Sequence, residues 1–407
     1  AVKGGELRLL RKGSSPHLRT VEDFQDFQLR LEFRTDRMAN SGLFLRAESE
    51  SELASVMAHE IAHVSQRHFA RRYLDSRKMN TAVLAAMLAS LAVAIAGDGE
   101  AGMAGIAATQ AGAIQAQLAY SRQNEREADR VGMQTLAAAG MDPNAMPRFF
   151  ERMHNNQRFA GDPPEFLLTH PVTESRIADS RARARSLPTP RMNTSLHFLL
   201  VQARLQAAFI QSDNHAIDHF LRYSNERNAL GLQAARYGLA LSYLRADRYE
   251  QARTIMQSLA EEHPDQLWFR LGLVEVALDE GDYTRAINQA ERVLDLAPDN
   301  YPASILMSKA LLRSEQPARA LPVLKPLLSE RPNNPYLWEL AADAYGNSGD
   351  KVRALHARAE SQFLRGRDQQ AMQQMEYALR DAENDFALYS KLNGRLQTMK
   401  ALSEEKF

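Results

Sequence analysis

Alanine returns every 34 residues in the C-terminal half of the chain, at Ala252, Ala286, Ala320 and Ala354, and proline keeps the same step at Pro264, Pro298 and Pro332. Two residue types locked to one period set a strict condition on the fold. Each unit must be a copy of one supersecondary element that buries its apolar face only against its neighbours. The prolines stand in "HPDQLW", "APDNYP" and "RPNNPYLW", each a break between helices, and each alanine follows a turn such as "ADRYEQA" or "EGDYTRA". A small side chain lets two antiparallel helices approach, and a proline ends the second. The spacing predicts stacked helix pairs, with "LRGRDQQAMQQMEYAL" as a further turn and helix and residues 195–235 as a degenerate first unit. An irregular helical bundle is the plainer alternative, and the double periodicity argues against it.

This is the period of tetratricopeptide repeats, whose stacked pairs curve into a concave surface, so residues 196–400 are expected to bind a polypeptide rather than perform chemistry. The 407 residues leave room for further domains ahead of the array. "SLPTPRMNTS" reads as a linker, placed at 188–195. Near the N-terminus "DFQLRLEF" alternates, with Phe27, Leu29, Leu31 and Phe33 on one face, which predicts a half-buried strand within an N-terminal β segment over 1–40. From Ser49 the period turns helical: Ser49 and Glu52 have capping-box spacing, and the helix is expected to run to about Tyr73. Residues 79–97, with "TAVLAAMLASLAVAIAG", carry no charge. Alanine contributes little transfer energy, so a buried or membrane-surface helical hairpin is favoured over a true span.

Fifty Lys and Arg balance 50 Asp and Glu with no basic block, so no nucleic-acid partner is expected. The absence of cysteine removes disulfide frameworks, thiolate zinc sites and cysteine nucleophiles, but leaves the compartment open. The chain opens at Ala1 without a charged region followed by an apolar one, so an export signal is expected to have been removed or never included.

The chemistry concentrates in "ELASVMAHEIAHVSQRH". Residues four apart on a helix share a face, so His59 and His63 can converge on one ion, and Glu60 can reach a water beside it as general base. His68, nine residues from His59, falls roughly 180° around an uninterrupted helix and is expected to face away. Gln66 and Phe69 stand where the metzincin pattern requires glycine and histidine, which excludes that class. A third ligand is needed, and "SRQNEREADRVG" offers Glu125, Glu127 and Asp129. Glu125 and Asp129 share a face while Glu127 points elsewhere; Glu125 then ligates, and Asp129 holds a ligating imidazole in its tautomer. An exposed charged helix is the alternative for that segment taken alone. In "LLTHPVTESRIADSR", His170 precedes Pro171 and is presented from a loop before a helix starting near Thr173. His170 could steady an oxyanion, act as a fourth ligand, or be a loop residue without chemistry; Arg176 could support it or be solvated.

These segments, with "GMDPNAMPRFFERM" between them and the repeats after them, resemble the HtpX- and CAAX-prenyl-protease-like zinc metallopeptidases over about residues 41–400. The resemblance implies a mainly α fold: a helical zinc-metallopeptidase domain at 41–187, then a tetratricopeptide-repeat solenoid. It implies one Zn2+ per chain on His59, His63 and Glu125, the base at Glu60 and an auxiliary histidine at His170. Its periplasmic branch implies a protease and chaperone acting on unfolded or stalled outer-membrane β-barrel proteins beside the barrel-assembly machinery. The N-terminal "FQDFQLRLEFRTDRMANSGLFLR" is instead similar to a fragment of a β-sandwich family of sugar-binding or glycoside-processing domains. Two further readings therefore stand beside the active peptidase: a latent peptidase working as a repeat chaperone or adaptor, and a carbohydrate-binding protein.

Overall fold

Helix dominates the computed structural model, which describes residues 2–3, 6–7, 47–95, 99–159, 170–190, 194–223 and 228–404. The only strands among the described residues are β1 (Val2–Lys3) and β2 (Glu6–Leu7), an antiparallel pair with Val2 opposite Leu7 and Lys3 opposite Glu6. The strand expected around Phe27–Phe33 and the β-sandwich resemblance lie outside the described residues.

Helix α1 (Glu50–Ser65) begins as its sequence requires. The Ser49 side chain accepts from Glu52 N, while Glu52 Oε2 accepts at 2.7 Å from the backbone N–H of Glu48. The reciprocal half of the capping box is thus displaced by one residue, and Glu52 also pairs with Arg152. The helix does not continue to Tyr73. Arg67 adopts a left-handed conformation (φ 54°), and α2 (His68–Ile95) starts anew beyond it. Helix α3 (Gly99–Ala138) packs back along α2 as a hairpin. Gly105 lies so close to Ser90 that a Cβ there would stand 2.5 Å from its Oγ. The expectation of a helical hairpin holds, and of its two alternatives, buried or membrane-surface, the described side chains favour the second: none between residues 70 and 123 is buried, and Leu84 and Leu88 are each 58% exposed. No helix among the described residues is long and apolar enough to cross a membrane.

Helices α4 (Ala145–Phe159) and α5 (Glu174–Ala184) complete a small core of Val56, Met133, Met146, Phe149, Phe150, Met153, Val172 and Ile177. Thr173 caps α5 by accepting from Arg176 N. Gly132 lets α3 approach α1 closely, since a Cβ at that position would sit 3.0 Å from the backbone of Ala58 and from His59 Cα. Helix α6 (Leu196–Phe209) joins this unit: Gln202 donates to Ala47 O at 2.6 Å, and the backbone N–H of Ser195 to Glu50 at 2.9 Å.

The second unit is the repeat array. After α7 (Asp213–Tyr223) and α8 (Ala229–Arg245) come α9 (Tyr249–Glu262), α10 (Leu267–Glu280), α11 (Tyr283–Leu296), α12 (Tyr301–Arg313), α13 (Pro317–Glu330), α14 (Pro335–Asn347), α15 (Lys351–Leu364), α16 (Asp368–Asp381) and α17 (Phe386–Glu404). The second helices α9, α11, α13 and α15 are each 14 residues long and start 34 residues apart. Ala252, Ala286, Ala320 and Ala354, at the fourth position of each, are at most 5% exposed, as the close approach of paired helices requires. The turn ahead of each second helix places a left-handed residue at Asp247, Gly281, Glu315 and Gly349, on the same period.

Candidate metal centre

Two helices and a loop converge on one point. α1 supplies His59 and His63, one turn apart and 1% and 7% exposed; α3 supplies Glu125, 6% exposed; His170 reaches in from the segment ahead of α5. One donor atom from each of these four residues lies within 4.8 Å of every other. His59 Nε2 and His63 Nε2 are 3.0 Å apart, and each is 3.4 Å from a Glu125 oxygen. His170 Nδ1 is 3.1 Å from both Glu125 oxygens and 3.4 Å from His59 Nε2.

The surrounding groups fix these side chains. His59 Nδ1 is 2.9 Å from Asp129 Oδ1, and Arg176 grips Asp129 from Nε and Nη2 at 2.7 Å each. The same guanidinium donates from Nη1 to Pro171 O at 2.7 Å and stands 3.0 Å from Glu125 Oε2. Arg176 thereby ties the His170 loop to α3. Burial opposes a charge on His59, yet its hydrogen bonds to Asp129 and Glu125 outweigh that and raise the imidazole to about 9. Burial likewise opposes the Glu125 carboxylate, but hydrogen bonds from His170, His59 and His63 and the charge of Arg176 hold it far below the usual carboxylate range.

The pocket therefore demands positive charge. With Asp129 taking the Nδ1 proton of neutral His59, the lone pair on its Nε2 faces His63 Nε2 and an ionised carboxylate. Two imidazole nitrogens and a carboxylate are the donor set of a catalytic divalent-metal site, so the residues fit such an ion. Glu60, on the next position of α1, is 45% exposed at its side chain; its Oε1 makes no hydrogen bond among the described residues and lies 3.6 Å from His170 Nε2. Its lone pairs are available to a proton.

His68 corrects the expectation from the sequence. It does not face away, because the break at Arg67 turns it back under His63: it is 3% exposed, with its Nδ1 2.9 Å from His63 Nδ1. Glu127 does point away from the cluster and meets His68 Nε2 at 3.2 Å and Arg71 Nη2 at 2.9 Å. Gly132 is also part of the construction, and its one signal in the sequence is a glycine inside a helical pattern.

Residues 37–184 match Peptidase family M48, and residues 237–303 and 277–344 match tetratricopeptide repeats. Fold and site together define a metalloendopeptidase joined to a repeat array. The beta-barrel assembly-enhancing protease of Escherichia coli (strain K12) is 33% identical over 365 residues, covering 90% of this chain and 74% of that protein. The beta-barrel assembly-enhancing protease of Yersinia pestis is 32% identical, covering 90% and 75%. The chain belongs to the family of beta-barrel assembly-enhancing proteases. Over a shorter stretch it is similar to the mitochondrial metalloendopeptidase OMA1 of Schizosaccharomyces pombe, 30% identical over 136 residues, or 33% of this chain and 37% of that one.

Proposed function

We propose that this chain is a zinc-dependent endopeptidase, binding one zinc through His59, His63 and Glu125 and acting in the periplasm on outer-membrane β-barrel proteins whose assembly has stalled. The observation that carries the reading is the convergence of these donors with His170 inside 4.8 Å, beside an accessible Glu60. Zinc in such a site supplies Lewis acidity, polarising a carbonyl and making a water acidic enough to lose its proton near neutral pH. Glu60 would accept the proton of the attacking water on a carboxylate oxygen and pass it to the leaving amine. Asp129 and Arg176 hold His59 in the tautomer that offers Nε2.

His170 acts as a latch. Its Nδ1 lies 3.4 Å from His59 Nε2 and 3.1 Å from Glu125 Oε1, where it would compete with a substrate carbonyl for the ion, and it is carried on a loop rather than a helix. In this reading the peptidase domain is 41–187 and the repeat domain 196–400, and the repeats bind unfolded segments of the substrate or a component of the barrel-assembly machinery. The exposed α2–α3 hairpin, with Leu84 and Leu88 outward, suits contact with a membrane surface.

The test is the metal content of the purified chain together with cleavage of an unfolded β-barrel protein with and without chelator. One zinc per chain and loss of cleavage on chelation are expected; cleavage that survives removal of all metal would sink the proposal. His63→Ala and Glu125→Ala should each lower metal content, and undiminished zinc in both would defeat the ligand assignment.

A further inference from the structure

The two ligand histidines on α1 are held from behind in different ways. His59 Nδ1 meets a carboxylate directly, at Asp129. Behind His63 the described residues place no carboxylate but a second imidazole, that of His68, and only then Glu127 and Arg71. An ordinary buried histidine needs a partner for its one N–H and one for its lone pair. His68 has both, and in an order that the metal site dictates.

The donor directions follow from the ring chemistry. A neutral imidazole that offers Nε2 to a cation carries its proton on Nδ1. His63 Nε2 is the nitrogen turned to Glu125 and His59, so its Nδ1–H must donate. The atom that receives it is His68 Nδ1, at 2.9 Å. His68 must then carry its own proton on Nε2, and that N–H points at Glu127 Oε2, 3.2 Å away, which also accepts from Arg71 Nη2 at 2.9 Å. Each donor in the row finds one acceptor, and no proton is doubled. On an unbroken helix His68 could not take this place; the left-handed turn at Arg67 puts it there.

We infer that His68 is a positioning residue for the metal site: it fixes the tautomer and ring orientation of His63 and, through Glu127, strengthens that ring as a ligand. This rests on the proposed ligand set and deepens it, since the row of donors has a direction only if His63 offers Nε2. Partners of this kind behind a ligand histidine typically carry 10–100-fold in metal affinity.

The test is zinc affinity of the full chain, measured by competition with a fluorescent chelator, with helicity followed by circular dichroism. His68→Leu keeps bulk but removes the acceptor, and zinc affinity should fall by ~10–100-fold. His68→Asn, whose side-chain oxygen can stand near the lost Nδ1 and accept from His63, should recover part of that loss, which a purely packing role would not allow. Equal affinity in His68→Leu and the parent would overturn the inference and leave the ligand assignment standing. A parent chain that binds no zinc would instead overturn the proposed function. Should His68→Leu fail to fold, Glu127→Ala decides the matter from the partly exposed end of the row: weaker zinc binding supports the inference and unchanged binding overturns it.

Discussion

Glu60 and His170 face each other across 3.6 Å, and the two differ in what a substitution should do. Glu60→Gln keeps the size of the side chain and removes the proposed base, so zinc should stay while cleavage falls by ~10²–10⁴-fold. A variant that cleaves as fast as the parent would show that the proton goes elsewhere. His170→Ala empties the latch position and should raise basal cleavage with zinc largely retained; a fall in cleavage would mean that His170 steadies the oxyanion instead. At this scale the sequence was legible wherever helical spacing alone decides geometry, as for His59 with His63 and Glu125 with Asp129. It failed at His68, because the residue that breaks the helix is Arg67, and nothing in "SQRH" marks a left-handed position. A helix end without glycine or proline leaves no local sign, and everything beyond it is rotated.

Among the elements, the contact of α1 with α3 depends on Gly132. Gly132→Ala would press a methyl against backbone atoms of Ala58 and His59 at 3.0 Å, and backbone cannot yield as a flexible side chain would. A loss of about 1–3 kcal/mol in stability is expected, together with weaker zinc binding; a chelator titration alongside thermal melting checks both, and retention of both would dismiss the contact. The repeat turns offer the opposite kind of change. Gly281–Asp282 and Gly349–Asp350 pair a left-handed glycine with an aspartate cap that accepts from Arg285 N and Arg353 N, at 3.0 Å in each case. Asp247–Arg248 and Glu315–Gln316 stand at the same phase with a left-handed residue that carries a side chain and no side-chain cap bond. Replacing Glu315 and Gln316 by Gly and Asp should therefore stabilise the array by about 1–2 kcal/mol, read as a higher urea midpoint, and an unchanged midpoint would refute it. The period of alanine and proline made these elements legible despite Pro322 and Pro326 inside α13, which by local rules should have ended that helix. Packing on both sides holds it together where local preference does not.

For the whole chain, acid is the informative perturbation of the repeat array. α17 is fastened to α15 by Glu360, 5% exposed, which accepts from Arg395 Nε and Nη2 at 2.7 Å each. Burial alone would push its carboxyl up, but hydrogen bonds from His356 and Arg395 outweigh it and hold the group below its ordinary value. A depressed carboxyl contributes stability above its unfolded pKa of about 4.3, and that contribution is lost as pH falls through the folded value. Glu360→Gln should thus lower the stability of the array at neutral pH, with the gap to the parent narrowing in urea titrations carried below pH 4; a gap that stays constant would exclude the linkage. At this scale the repeat half could be inferred from periodicity, whereas the exposure of the α2–α3 hairpin could not, since an uncharged alanine-rich run reads the same whether covered or bare. That hairpin gives the molecule a mechanical property. α3 is one continuous helix from Gly99 to Ala138, so its outer end and Glu125 belong to the same rod, separated by roughly 40 Å at 1.5 Å per residue. With the close contact at Gly132 as fulcrum, a sideways displacement of the far end would be reduced to roughly a fifth of its size at Glu125, and the hairpin would be the long arm of a lever whose short arm carries the proposed third donor.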